Sequence, residues 1–147
     1  RPLVAGGFDW LETSDTEIES MLQWPMEGFA FDVLENGLWW PEWGAKPPEA
    51  SAQIECLRDI IGKAPKLIPL FGHRYLPETP SEPGNPVFSV YQSDVIHYGA
   101  SIADWIEQEE RGPPNKMDQS APLREIPFWS LAVRRNAGLS GIFYARP

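Results

Sequence analysis

The residues best equipped for chemistry lie in one polar run and its downstream neighbours. Gly72-His73-Arg74-Tyr75 follows a short apolar segment, with Asn85, Gln92 and Asp94 further along. An imidazole and a guanidinium directly after a strand are placed to line a site. A carboxylate such as Asp94 could orient the imidazole or pair with the guanidinium. Two readings follow. In the first, His73, Arg74 and Asp94 form the centre of a small hydrolase or ligand-binding enzyme. In the second, Arg74 and Asp94 form an ion pair that pins a proline-rich loop to the sheet. His73 then satisfies a backbone carbonyl, and Tyr75, Asn85 and Gln92 share the pinning or ligand role. Spacing alone favours the second, because an enzyme needs a nucleophile or base of defined geometry. His97, next to Ile96 on an alternating stretch, is expected to face solvent or a polar interface.

A second group is aromatic. Trp39-Trp40-Pro41-Glu42-Trp43-Gly44 places three indoles within five residues, with Glu35 just upstream. Indoles combine a large apolar body with one N–H donor, so they serve either as core or as the anchor of a protein interface. At least one or two should be core. An exposed Trp beside Glu42 and Glu35 would make an acidic, aromatic patch suited to a basic partner.

Specific catalytic signatures do not occur. The chain has neither GxxxxGK[ST] nor GxGxxG, no CxxC, no HExxH and no GxSxG. With two His and one Cys, a structural zinc site would need carboxylates to complete it, and no metal or cofactor is expected. Cys56 excludes an internal disulfide, which fits a reducing compartment such as the cytoplasm. Lying beside Ile54 and Leu57, it reads as a buried small hydrophobe rather than a reactive thiol.

Charge narrows the partners. The net charge is −9. Residues 2–45 carry Asp9, Glu12, Asp15, Glu17, Glu19, Glu27, Asp32, Glu35 and Glu42 but no Lys or Arg. That field repels phosphate backbones, so nucleic acid is disfavoured, and it attracts basic protein surfaces. No apolar run is long enough to span a membrane, and no secretory signal is visible. The chain opens on Arg1 rather than Met, so the native start and any targeting segment could precede it.

The elements that must position these residues are predicted as follows. Its 147 residues suit a single domain spanning 1–147. Ser14 with Glu17 has capping-box spacing and opens a helix over 14–24, which Pro25 should end. Phe29, Phe31 and Val33 alternate like a strand, and Asn36-Gly37 predicts a hairpin returning through Leu38-Trp39-Trp40. Residues 48–62 read as a helix with Pro48 at its first position, Gly62 as its cap and Ala52, Ile54, Leu57, Ile60 and Ile61 as its apolar stripe. Leu67–Gly72 is an apolar strand that Pro69 consigns to an edge or a bulge. Pro77, Pro80, Pro83 and Pro86 recur every third residue, an extended loop. Strands at 86–91 and 95–99 form a hairpin, and Ser101 caps a helix to about Glu110. An exposed loop over 112–124, a helix over 126–135 with Arg134-Arg135 near its end, and a strand at Ile142-Phe143-Tyr144 complete the order. Helices mixed with antiparallel hairpins make an α+β fold.

On these residues the chain resembles the SUKH superfamily, which includes the cell-wall-synthesis-regulator-like domains. Leu67-Ile68-Pro69-Leu70-Phe71-Gly72-His73 resembles its hydrophobic-hydrophobic-Pro-hydrophobic strand. In that group a loop, a strand pair and a helix opening on Ser follow, as Val87–Tyr91, Val95–Gly99 and Ser101–Glu110 do here. Ile102-Ala103-Asp104-Trp105-Ile106 resembles the closing amphipathic helix. The likeness covers residues 29–110. The Gly-His-Arg-Tyr-Leu-Pro run departs from the glycine-rich turn of the group, and residues 112–147 stand as a C-terminal extension without counterpart. The resemblance implies helices around an antiparallel sheet and a non-enzymatic role, many bacterial members being immunity proteins that bind and neutralise toxins. The expected contact surface is the acidic N-terminal third with Trp39, Trp40, Glu42, Trp43 and Glu35, and the expected partner is a protein, such as a basic toxin.

Overall fold

The computed structural model describes residue 3 and residues 6–111 and 122–143, with the side chains of 139–143 outside the description. Helix α1 spans Asp15–Glu35. It starts as expected: the Ser14 Oγ accepts from the Glu17 N–H at 3.4 Å, and the Glu17 carboxylate accepts from the Ser14 N–H at 3.2 Å. Pro25 does not end it. A proline inside a helix strips the carbonyl four residues back of its donor. Here that carbonyl belongs to Met21, and the Tyr75 hydroxyl donates to it at 3.4 Å. Pro25 itself is buried against the core. A tertiary contact 54 residues away thus replaces the missing helical bond.

The strand and hairpin expected over 28–40 are therefore helix through Glu35. Phe29 and Val33 lie one helical turn apart and point inward, while Phe31 points out. Asn36-Gly37 closes the helix instead of turning a hairpin. Asn36 is the C-cap, with its N–H on the Asp32 carbonyl at 3.1 Å. Gly37 follows at φ +71°, a left-handed conformation that favours Gly. A short 3-10 turn, Pro41–Trp43, then leads to helix α2, Ala50–Gly62. Pro48 precedes α2 rather than opening it, the N-cap is Glu49, and Lys63 rather than Gly62 is the C-cap. Leu57 is its most buried residue, and Cys56 beside it is half-buried rather than buried.

The sheet is an antiparallel meander of β1 (Leu67–Phe71), β2 (Arg74–Pro77), β3 (Val87–Tyr91) and β4 (Asp94–Gly99), in that spatial order. Pro69 does lie on an edge strand, and the β1–β2 register shifts between Pro69 and Phe71. In the polar run after β1, Gly72-His73 is a tight turn and Arg74-Tyr75 already belongs to β2. The expected β3–β4 hairpin forms, with Phe88 opposite His97 and Val90 opposite Val95.

Helix α3, Ile102–Arg111, is capped by Ser101 as expected: its Oγ accepts from the Asp104 N–H at 3.2 Å, and Asp104 accepts from the Ala100 N–H at 2.7 Å. Helix α4 spans Trp129–Phe143, so it begins and ends later than expected and replaces the strand at Ile142-Phe143. Tyr144 and most of the expected loop over 112–124 lie outside the described residues.

Both faces of the sheet are covered. Tyr75, Phe88, Val90 and Val95 pack with α1, α2, the Trp40–Trp43 segment and α4 in the larger core. Leu70 and Val87 pack with Trp105 of α3 in a smaller one. This is an α+β fold with helices around an antiparallel sheet. Among the described residues no helix is long and apolar enough to cross a membrane.

Candidate functional site

The polar residues expected to converge are held apart by separate partners. Arg74 points to the α3 side of the sheet, where its guanidinium stacks 3.9 Å above the Tyr98 ring and lies 3.7 Å from Glu109. Glu109 also accepts from the Trp105 indole N–H at 3.0 Å. Asp94 does not pair with Arg74; it accepts from the Asn136 amide at 2.7 Å, tying β4 to α4. His73 faces the Tyr91 ring at 6.0 Å and makes no hydrogen bond to Arg74 or Asp94. Burial first, then the Arg74 charge, holds the His73 pKa below the ordinary value, with Asp94 opposing.

The pinning role expected of Arg74 and Asp94 belongs instead to Arg124, because the loop folds toward the segment before α4. Asn85 is buried and donates to the Pro77 and Pro80 carbonyls at 3.1 and 2.8 Å. Arg124 reaches the Asn85 carbonyl oxygen at 2.7 Å, the Pro83 carbonyl at 3.0 Å and the Glu82 carboxylate at 3.8 Å. Asn85 thus anchors the loop, one of the two roles, pinning or ligand, left open for it by the sequence.

Tyr75 and Gln92 have structural positions on the α1 side. Burial raises the Tyr75 pKa to about 12, so its hydroxyl stays protonated and able to donate to Met21. Gln92 is the first turn residue of the β3–β4 hairpin, at φ +55°. A Cβ on Gly28 of α1 would come 2.8 Å from the Gln92 Cα, so only Gly lets the helix and the turn meet there. Asp32, one turn along, accepts from the Ser93 backbone N–H at 2.8 Å and from its hydroxyl. His97 does not face solvent. It stacks on Phe88 at 5.1 Å, its Nε2 is buried without a partner, and burial holds its pKa below the ordinary value.

The indole segment divides. Trp40 and Trp43 are core residues, 5% and 9% exposed, packed on each other and on Phe29 and Phe128. Trp39 is half-buried, with its N–H on the Gly44 carbonyl at 2.9 Å. Glu42 is ion-paired with Arg135 of α4, which holds its pKa below the usual carboxylate range. The expected contact surface therefore loses Trp40 and Trp43 to the core, because packing against each other and against Phe29 and Phe128 removes more apolar area from water than an outward position would. Glu35 stays exposed.

An exposed aromatic face exists elsewhere, on α1. Trp24, Phe31 and Leu34 are 42%, 49% and 47% exposed. Their spacing of seven and three residues places them on one stripe of the helix with Glu27 and Glu35, opposite Phe29 and Val33. Neither Glu27 nor Glu35 has an ion pair among the described residues. Tyr91, also exposed, immediately precedes the Gln92 turn that abuts Gly28 of the same helix. The signal lay in the sequence: Trp24-x2-Glu27-x3-Phe31-x2-Leu34 has helical period, hidden by treating Pro25 as a stop.

Among the described residues no three His, Cys, Asp or Glu side chains are grouped to hold a metal ion. Comparison of the chain with known protein families, curated proteins and solved structures finds no match.

Proposed function

We propose that this chain is a non-enzymatic protein-binding module of SUKH-like type whose outer α1 face captures a basic protein, in the manner of an immunity protein binding a toxin. The observation that carries the reading is the α1 stripe, where Trp24, Phe31 and Leu34 stand exposed beside Glu27 and Glu35, which have no ion pair among the described residues. Large apolar side chains in solvent at regular helical spacing mark an interaction face more than a free surface. The carboxylates around them give that face its sign. Residues 2–45 contain no Lys or Arg to offset it, so the complementary partner is cationic. An antiparallel sheet whose last hairpin is followed by a Ser-capped helix is in keeping with the SUKH-like reading, with β2 inserted between the first strand and the loop. A single, half-buried cysteine suits the cytoplasm, where such a capture would occur.

The dispersal of His73, Arg74 and Asp94 onto separate partners favours binding over the hydrolase alternative. The test compares capture from an extract of the source cells by the natural chain and by a Trp24→Ser/Phe31→Ser double variant, with a Trp39→Ser variant as control. One basic protein is expected on the natural chain, lost at raised salt and absent from the double variant while Trp39→Ser retains it. Near-UV circular dichroism checks that the double variant is folded. Equal capture by the folded double variant, or an acidic partner, would overturn the reading, as would self-association through this face in sedimentation.

A further inference from the structure

A separate feature lies on the opposite side of α1. Leu22 and Met26 stand one helical turn apart and, with Ile61 and Gly62 at the end of α2, wall a cleft of about 390 Å³. Its floor is Pro25, Leu67 and the Trp129 indole. The shape is held from outside α1 and α2: the Trp129 N–H donates to the Pro65 carbonyl at 2.8 Å and so fixes the α2–β1 connection that forms one wall. The volume falls in the range of small-molecule sites, which combine an apolar body with a few convergent polar groups.

The polar groups at its mouth are unequal. Arg58 and Lys66 border it from α2 and the α2–β1 connection, and Glu19 and Gln23 from α1. Arg74, Arg111, Arg124, Arg134 and Arg135 each pair with a carboxylate. The Arg58 side chain has no ion pair or hydrogen bond among the described residues, and neither has the Lys66 side chain. Lys46 and Lys63 also lack a carboxylate partner among the described residues, but of these four cations only Arg58 and Lys66 border the apolar cleft. Glu19 on the far rim sets a direction, repelling an anionic head from its own side and leaving the Arg58–Lys66 side to receive it.

We infer that this cleft binds a small amphiphilic carboxylate, its apolar tail between Leu22, Met26 and Ile61 and its head at Arg58 and Lys66. Neither side chain is part of the α1 stripe assigned to protein capture, so the two sites stand or fall independently. The tail is desolvated by walls that are already in place, and the head keeps part of its hydration at the rim, where a guanidinium and an ammonium replace the rest.

The experiment titrates decanoate, below its micelle concentration, into isotope-labelled full-length chain and follows amide and indole resonances. Saturable shifts are expected at Ile61, Leu67 and the Trp129 indole N–H. Decan-1-ol and decyltrimethylammonium should bind at least about tenfold more weakly, as should decanoate with Arg58→Gln/Lys66→Gln, since each loses a charge-assisted contact. Leu22→Glu, at an exposed rim position, should abolish the shifts in a chain that still folds, and Glu19→Gln should tighten binding. Equal affinity for all three head groups, an unchanged affinity in the folded Arg58→Gln/Lys66→Gln variant, shifts confined to Trp24 and Phe31, or no saturable binding would each overturn the inference.

Discussion

Two parts of this chain carry aromatic rings beside carboxylates, and they have opposite fates. The Trp39–Trp43 segment turns Trp40 and Trp43 inward, Trp40 against Phe29 and Phe128, and its carboxylate, Glu42, pairs with Arg135. The α1 stripe turns Trp24 and Phe31 to solvent, and its carboxylates Glu27 and Glu35 pair with no cation among the described residues. The difference comes from what each backbone faces. The segment crosses the open end of the larger core, where each ring removes apolar area from water. The stripe lies on the side of α1 away from the sheet, so burial is available only against another molecule. Aromatic content alone does not identify an interface; the direction of the backbone relative to the core does.

The largest expected effect breaks the buried half of this comparison. Trp43→Ala should cost about 3–5 kcal/mol by urea denaturation, the range for emptying a large aromatic site. Trp43→Phe should cost much less, because it also removes an indole N–H that is buried without a partner. An alanine variant of natural stability would return Trp43 to the surface.

The contact that orients α1 is next. Gly28→Ala brings a Cβ against the Gln92 backbone and should destabilise by about 1–3 kcal/mol, despite alanine's better helix propensity. Gly62→Ala, where nothing lies within 4 Å, should instead gain up to about 1 kcal/mol. Matching thermal melts for the two variants would contradict the close approach of helix and turn.

A smaller effect concerns pH. His97 and His73 both have pKa values held below the unfolded value of about 6.5, mainly by burial. The unfolded chain then binds more protons than the folded one in that window, so stability rises with pH through it. It should fall as pH drops from about 6.5 toward the folded pKa values, before Glu17 and Glu42, whose pKa values lie below 4.5, begin to titrate. His97→Phe should flatten this slope in denaturation series at pH 7, 6 and 5. A slope unchanged by the substitution would mean that the imidazole is hydrated in the folded state.

The smallest effect is on the exposed half. Trp24→Ser and Phe31→Ser should each leave stability within about 0.5 kcal/mol. A large loss in either would make the stripe part of the fold rather than a face held ready for a partner.

The sheet was the more legible half of the molecule. Pro69 predicted an edge position, and Val87–Tyr91 with Val95–Gly99 predicted a hairpin, because strand pairing there is local and its turn is short. Ser14-x2-Glu17 and Ser101-x2-Asp104 marked helix starts through bonds that involve only near neighbours. The failures had distant causes. Whether Pro25 ends a helix depends on a donor for the Met21 carbonyl, and that donor is Tyr75. Whether Asn36-Gly37 turns a hairpin or closes a helix depends on what precedes it. The reading of Phe29, Phe31 and Val33 as alternating failed with Pro25, since period two and period 3.6 share the 29/33 pair. The candidate site followed the same rule. Asn85 bonds within its own loop, whereas Arg74 and Asp94 have partners on α3 and α4 that no local pattern predicts.

Asp32 ties α1 to the β3–β4 turn through the Ser93 backbone and hydroxyl, and also receives the Asn36 amide at 2.6 Å. Because one buried carboxylate clamps the helix to the most deeply packed hairpin, the aromatic stripe is presented in a fixed attitude before any encounter. A ligand docking there has little backbone left to immobilise. Changes to individual stripe residues should therefore register chiefly in how long a complex survives, with the frequency of productive collision left to the surrounding negative charge.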